Sequence, residues 1–354
     1  MIPGAVLAAG RGCEPPAVLH VAGYAQHDQQ AVRAMTPDTI FDLASLTKVL
    51  ATLPSVLRLV ATGEIALDEP VRRYLTGFTG AGKDKVTVRQ LLAHTSGLPA
   101  HRPYYELQPD PAAVLAAALA EPLVATPGTV CCYSDIGFIV LGELCAEVAR
   151  RPLDELAQEL VFRPLRMTST GYRPAAALAA RIASTEPDGE IARTGVVHDE
   201  NAAALGGVAG HAGLFGTAAD VGRYAAAWAS ATGPGPGAYT GGLAAIGVPR
   251  SLGQEAVRGQ TGTLADHQPP DRRGLGWGLR GDRWDNMGEG WPATGAGHTG
   301  FTGTSISIDP GTGIWAVLLT NAVHFGRDPK HSVTTLRKLV HGLIAATLLG
   351  RVGR

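Results

Sequence analysis

Apolar residues near the start of the chain fall into two short runs, 4–9 and 17–24, separated by glycine and proline. Runs of this length bounded by turn residues predict strands, here an antiparallel pair. In 46–60, by contrast, apolar residues recur every three or four positions. This spacing predicts a buried helix that begins at Ser45 and is kinked by Pro54.

The middle of the chain, from about residue 65 to 230, is rich in alanine and has the helical period. Five stretches carry the apolar periodicity most clearly: 87–93, 111–120, 136–149, 153–162 and 218–229. The glycine- and proline-rich stretch 231–243 predicts an irregular segment. The helical part of the chain is therefore expected to end there.

Strand-like runs return in the last third of the chain, at 274–280, 303–309 and 313–320. The last two are joined by Asp-Pro-Gly-Thr-Gly at 309–313, a strong hairpin signal. A closing helix is predicted at 331–348.

Strands at both ends of the chain, with helices between them, predict an α/β fold in which an antiparallel sheet is flanked by helices and carries an inserted all-helical domain. We place the sheet domain in residues 1–64 plus 244–354 and the inserted domain in 65–243.

Composition narrows the class of protein. The 354 residues are 45% hydrophobic, enough for a large core, and 30 basic residues face 31 acidic ones, a net charge of −1. Such a balance favours a small-molecule, roughly neutral substrate over nucleic acid or an anionic membrane surface. No secretion signal or membrane-spanning run is recognisable, so we expect a cytoplasmic protein. No motif predicts a cofactor or a metal ion, and the oligomeric state stays open.

Three short motifs carry candidate chemistry: Ser45-Leu46-Thr47-Lys48, Tyr133-Ser134-Asp135 and His298-Thr299-Gly300. Residues three apart on a helix share a face, so Lys48 can reach the Ser45 hydroxyl and remove its proton if burial lowers the lysine pKa. Taken alone, Ser-x-x-Lys also fits a helix cap with an exposed charge. The order and separation of all three motifs favour the reactive site.

With these motifs, the sequence resembles the serine β-lactamase and penicillin-binding-protein superfamily. The branch is that of class C β-lactamases, certain D-alanyl-D-alanine carboxypeptidases and their esterase relatives. Four further segments carry the resemblance: 41–44, 86–99, 209–215 and 300–304. It covers nearly the whole chain.

The resemblance implies that Ser45 attacks a carbonyl carbon and holds the acyl group as an ester. Lys48 would activate it, and Tyr133 would share the proton transfers. The backbone N–H groups of Ser45 and Phe301 would bind the oxyanion. The remaining residues that the resemblance places at the substrate are Asp135, His298, Thr299 and Gly300.

Asp135 departs from the pattern, because most relatives carry asparagine there and use its amide to bind an acylamino carbonyl. An aspartate lacks that donor, and it would also raise the pKa of Lys48 and move the base role toward Tyr133. The departure favours an ester substrate.

Our leading hypothesis is therefore a serine hydrolase that acts on carboxylic esters through an acyl-enzyme on Ser45, with some acyl transfer. Three alternatives stay open: a D-amino-acid peptidase or weak β-lactamase, a dedicated biosynthetic acyltransferase, and a non-catalytic binding module. Retention of serine, lysine and tyrosine argues against the last.

Overall fold

The fold is built on strands from both ends of the chain. The computed structural model describes residues 2–12, 15–107, 110–188, 191–231, 242–262, 271–327 and 330–350. Its strands are β1 (Gly4–Arg11), β2 (Val18–His27), β3 (Val32–Ala34), β4 (Ile40–Asp42), β5 (Gly171–Tyr172), β6 (Pro187–Asp188), β7 (Ile191–Ala192), β8 (Leu214–Thr217), β9 (Gly278–Leu279), β10 (Ala296–Thr299), β11 (Ser305–Ile308) and β12 (Ile314–Thr320). Seven of them form one antiparallel sheet in the order β3-β2-β1-β12-β11-β10-β9.

The predicted strands near both termini are confirmed. The first strand lies between β2 and β12, with Ala9 opposite Ala316. The hairpin that joins β11 to β12 is also present, and Asp309 closes it by accepting a hydrogen bond from Gly313 N (2.8 Å). The predicted strand 274–280 shrinks to β9, because the chain turns at Gly276, whose φ is +74°.

The helices follow the predicted periodic stretches closely. They are α1 (Leu53–Ala61), α2 (Val88–Leu92), α3 (Tyr104–Leu107), α4 (Pro111–Ala120), α5 (Asp135–Ala149), α6 (Leu153–Ala157), α7 (Glu200–Ala204), α8 (Ala218–Ala231), α9 (Arg250–Ala256) and α10 (Lys330–Leu348). Helix α8 packs on one face of the large sheet, in a core with Val6 and Ala8. The C-terminal helix α10 covers the other face, where Ile344 joins Ala9 in a second cluster.

We had expected the inserted part of the chain to be all helical, and it is not. It contains β5 to β8, and β8 pairs with both β4 and β5 in a second sheet. These strands were missed because two-residue and four-residue strands are too short to show a period. The boundaries of the two domains stay a prediction, although α8 lies within 65–243 and packs on the large sheet. Most of the predicted irregular segment 231–243 lies outside the described residues.

The helix that follows Ser45 is buried but not regular. A 3₁₀ turn (Ala44–Leu46) leads into a π-helical turn (Lys48–Thr52) and then into α1. Pro54 lies in the first turn of α1, where a missing N–H costs little. By length and composition the stretch Ala44–Ala61 could cross a membrane, but 78% of it is buried inside the fold, as in a core helix.

Candidate active site

Ser45 follows a residue with a strained backbone. Ala44 has a φ of +47°, a left-handed conformation that costs free energy for a residue with a Cβ. Two hydrogen bonds hold it there: the buried Asp42 carboxylate accepts from Ala44 N (2.8 Å), and Thr47 Oγ1 donates to Ala44 O (2.7 Å). Desolvation by burial raises the pKa of Asp42 to about 6. The strained turn places Ser45 at the edge of a cavity.

Lys48 lies fully buried beneath Ser45. Its Nζ donates to Ser45 Oγ (3.0 Å), to Asp135 Oδ1 (2.7 Å) and to the main-chain oxygen of His211 (3.1 Å). Burial lowers the pKa of Lys48, but the charges of Asp135 and Tyr133 outweigh it, and the net pKa lies above the ordinary value. Lys48 is therefore held as an ammonium ion, as the aspartate led us to expect.

Tyr133 and Asp135 are positioned by the start of α5. Ser134 caps this helix, because its hydroxyl accepts from Gly137 N (3.1 Å) and donates to Pro99 O (2.7 Å). The centre of the Tyr133 ring lies 5.0 Å from Lys48 Nζ. The cap thus holds the residues on either side of it, Tyr133 and Asp135, close to the same ammonium group.

His94 is hydrogen-bonded to the segment that precedes α5. It has a φ of +61°, its main-chain oxygen accepts from Cys132 N (2.8 Å), and its Nδ1 accepts from Ser134 N (3.0 Å). Its ring lies 4.6 Å from that of Tyr133. Burial, together with the charges of Arg273 and Lys48, holds the pKa of His94 well below the ordinary value. The neutral ring can therefore accept the Ser134 bond.

Strand β10 supplies the opposite wall. His298 is buried, its ring centre lies 6.0 Å from that of Tyr133, and its Nδ1 donates to Thr299 O (3.0 Å). Burial lowers the pKa of His298 well below its usual range, and the nearby charges of Lys48 and Arg273 add to the effect. The histidine is therefore neutral and lines the strand side of the cleft without adding charge.

Gly300 lets the end of this strand meet the segment before Ser45. A Cβ on Gly300 would lie 2.6 Å from Leu43 O and 2.2 Å from Thr304 Oγ1. A hydrogen bond from Thr302 Oγ1 to Asp42 O (2.8 Å) stabilises this contact between the two segments. The peptide between residues 300 and 301 is thereby held beside Ser45.

All eight residues predicted for the site come together. A cavity of about 780 Å³ is lined by seven of them. The eighth, Lys48, is fully buried and contacts the cavity residue Ser45. Phe301 is 48% exposed at the rim and stacks on His198 with 5.6 Å between ring centres.

Several charged residues at the cavity were not found by the sequence motifs. Arg273 is buried and pairs with Asp282 (3.1 Å), and Arg283 pairs with Asp271 (2.9 Å). Arg337 of α10 also lines the cavity. These residues form no spaced pattern, and only the fold brings them to the site.

Comparison with known proteins identifies the family. The family model described as Beta-lactamase matches residues 1–339. A protein of Escherichia coli K12 named "Putative D-alanyl-D-alanine carboxypeptidase" is 31% identical over 327 residues, 84% of this chain and 72% of that protein. A Bacillus subtilis protein named "N-acetylmuramyl-L-alanine amidase" is 32% identical over 334 residues, 82% of this chain and 69% of that protein.

Solved structures agree at the level of the fold. The hydrolase EstCE1, whose description adds promiscuous acyltransferase activity, superposes with a TM-score of 0.74 at 24% identity and covers 96% of this chain and 94% of its own. A class C β-lactamase of Rhodobacter sphaeroides superposes with a TM-score of 0.71 at 18% identity, covering 97% and 95%. With a family match over nearly its whole length, this chain belongs to the Beta-lactamase family and is a hydrolase with a catalytic serine.

Proposed function

We propose that the protein hydrolyses uncharged carboxylic esters through an acyl-enzyme on Ser45 and passes part of the acyl group to alcohols or amines. The observation that carries this proposal is the state of the charges at the cavity. Lys48 is already paired with Asp135, and His298 is neutral. A substrate carboxylate, such as the end of a D-alanyl peptide, therefore meets no available lysine or histidine cation on these two walls.

Three of the four arginines at the cavity support the same proposal. The fourth, Arg337, has no carboxylate partner among the described residues, but it is only 6% exposed and its Nη2 is bound to the carbonyl oxygens of Gly300 and Thr304. Arg273 and Arg283 have aspartate partners, and Arg327 pairs with Glu186 and Glu200 at the rim. An arginine engaged in this way would have to give up one ion pair to bind a carboxylate, which costs free energy inside a cavity.

Asp135 adds a second argument about the substrate. Its Oδ1 accepts from Lys48, and its Oδ2 lies 3.9 Å from His101 Nδ1. A carboxylate offers no N–H to the acylamino carbonyl of a peptide or β-lactam substrate. An ester substrate does not need that donor.

The proposed reaction uses Tyr133 as the proton carrier. As Ser45 Oγ forms a bond to the ester carbon, its proton passes to the ionised oxygen of Tyr133 beside the Lys48 ammonium. The tetrahedral oxyanion is held by the N–H groups of Ser45 and Phe301. The bond to the leaving alcohol then breaks, and Tyr133 protonates that oxygen. Water, or another acceptor, repeats these steps in the second half of the reaction and restores the Ser45 hydroxyl.

The experiment is intact-mass spectrometry after brief exposure to three reagents: a p-nitrophenyl acyl ester, penicillin and a D-alanyl-D-alanine peptide. We expect a mass increase of one acyl group from the ester alone, and none in the Ser45→Ala protein. An ester adduct that persists in Ser45→Ala, or no adduct at all in the native protein, contradicts the proposal.

A D-amino-acid peptidase is the second candidate, because relatives of about one third identity carry peptidase and amidase names. Turnover of the D-alanyl peptide at a rate equal to or above that of the ester would favour it over the esterase.

A further inference from the structure

A buried arginine lies behind the strand that ends at the site. Arg337 of α10 is only 6% exposed, and its Nη2 donates to Gly300 O (2.7 Å) and to Thr304 O (2.9 Å). In the parts of the chain that the structure describes, no carboxylate forms an ion pair with it. Burial lowers the pKa of Arg337 to about 10, so it remains a cation at neutral pH. A buried charge without a counter-ion is costly to fold, and its presence calls for a physical reason.

Holding the turn together is not a sufficient reason. The turn after β10 is already closed by main-chain bonds from Gly303 N to Gly300 O (3.1 Å) and from Gly300 N to Thr304 O (2.8 Å). Thr304 Oγ1 also donates to Leu43 O (3.1 Å), which ties the turn to the segment before Ser45. Each carbonyl that Arg337 contacts would therefore keep a partner without it.

The arginine can act instead through the peptide that it touches. Gly300 C=O and Phe301 N–H belong to the same peptide unit, and that carbonyl accepts both from Gly303 N and from the guanidinium. A cation that donates to an amide oxygen draws electron density from the amide nitrogen, and its N–H becomes a stronger donor. The Gly300 backbone lies against Leu43 and Ala44, so this peptide is beside the nucleophile.

We propose that Arg337 is a positioning residue that strengthens the oxyanion donor of the Gly300–Phe301 peptide by polarising it from behind. This inference rests on the proposed function, because it needs an acyl-enzyme on Ser45. Negative charge on the substrate oxygen develops during the reaction and is small in the bound ester. The buried cation therefore lowers the barrier more than it improves binding.

The test compares three substitutions at one position. Arg337→Lys keeps a cation, Arg337→Gln keeps a neutral donor, and Arg337→Met keeps neither. For ester hydrolysis we expect kcat to fall about 10- to 100-fold in Arg337→Gln and Arg337→Met, less than the roughly 10²- to 10³-fold cost of losing a whole donor. KM should change less than twofold, and Arg337→Lys should recover part of the rate. Lys338→Gln, an exposed charge on the same helix, is the matched control.

Two further readouts separate this role from a purely structural one. The infrared stretch of the acyl-enzyme carbonyl, isolated with a ¹³C-labelled ester, should move to higher frequency in Arg337→Gln and Arg337→Met, because the oxyanion donor is weaker. The resistance of Arg337→Met to urea should be equal to or greater than that of the native protein, since a buried unpaired charge has been removed.

Failure of the Arg337 proposal can be distinguished from failure of the proposed esterase function. A native protein that forms no acyl-enzyme contradicts the proposed function, and the role of Arg337 falls with it. A native protein that acylates normally, together with an Arg337→Gln protein of unchanged kcat and carbonyl frequency, overturns the role of Arg337 alone. A loss of rate that follows a loss of folding stability in Arg337→Met also overturns it.

Discussion

Lys48 illustrates how one residue can combine a structural and a chemical task. Its three ammonium hydrogens all have partners, and these partners are far from one another in sequence: Ser45, Asp135 and His211. The carboxylate of Asp135 is the partner that decides the charge, because burial alone would lower the pKa of Lys48. A lysine held as a cation cannot accept a proton. It can stabilise an ionised Tyr133 and orient Ser45.

We predict that Asp135→Asn lets Lys48 lose its proton at a lower pH. Without the carboxylate the pKa of Lys48 falls, so ester acylation should reach half its maximal rate at a lower pH than in the native protein. The free energy of unfolding should decrease by about 1–2 kcal/mol, because a buried cation loses its counter-ion but keeps an amide oxygen to bond. The measurements are the pH profile of acylation and urea denaturation.

Glu147→Gln is the matched control, since it removes an exposed carboxylate from the same helix. If Asp135→Asn leaves the pH profile where it is in the control, the ion pair does not set the protonation of Lys48.

At the scale of elements, the start of α5 is where fold and site meet. Ser134 caps the helix while its backbone N–H is bound by the ring of His94, and these two contacts fix the residues on either side. A helix cap is usually a matter of stability alone. Here the capping residue also lies between Tyr133 and Asp135, the two residues whose charges act on Lys48.

We predict that Ser134→Ala costs both stability and rate. Loss of the cap and of the bond to Pro99 should lower the free energy of unfolding by about 1–2 kcal/mol, and kcat for ester hydrolysis should fall because Tyr133 and Asp135 are less well fixed. Thermal denaturation and steady-state kinetics measure the two effects.

Asp110→Ala provides the comparison, because Asp110 caps α4 through Ala113 N (3.1 Å) and does not line the cavity. It should lose stability with kcat unchanged. Equal losses of kcat in the two variants would show that the α5 cap has no special link to catalysis.

The elements that the sequence predicts well are those with a long apolar or periodic stretch. The helix 136–149 and the strand 313–320 were predicted to within a few residues, because each buries a regular set of apolar side chains. The prediction was wrong where an element is short or where the chain is rich in glycine. The strand predicted at 274–280 was reduced to two residues by a turn at Gly276, and β5 to β8 were not anticipated.

For the whole molecule, buried histidines predict how stability depends on pH. Burial holds the pKa values of His94 and His298 well below their usual range and lowers that of His341 to about 3. Below about pH 6.5 the unfolded chain binds protons at these positions and the folded chain does not, so the free energy of unfolding falls as the pH falls. Asp42, with its pKa raised to about 6, acts in the opposite direction and offsets about one proton between about pH 4 and 6.

We predict that His341→Gln makes this dependence shallower by about 1.4 kcal/mol per pH unit, the contribution of one proton. Urea denaturation between pH 6.5 and pH 4.5 measures the slope, and His20→Gln, an exposed histidine, serves as the control. Identical slopes in the two variants would contradict the assignment of a depressed pKa to His341.

Only part of the candidate site could be predicted from sequence, for a reason that belongs to the whole fold. Ser45, Tyr133 and His298 lie in local motifs whose residue types and spacing are readable. Arg273 and Arg337 reach the same cavity from a loop and a terminal helix, and their neighbours in sequence give no sign of it. Their roles depend on burial and on contacts between segments far apart in the chain.

The three bonds of the Lys48 ammonium also have an evolutionary consequence. A lineage of this fold that abandoned hydrolysis would still gain stability from a lysine that ties α5 and the loop at His211 to the π-helical turn before α1. Ser45 gives no comparable support, since Lys48 is the side chain that bonds its hydroxyl. Among descendants that have lost activity, we therefore expect the serine to drift first and the lysine to persist. The serine, more than the lysine, should mark which members of such a lineage are still enzymes.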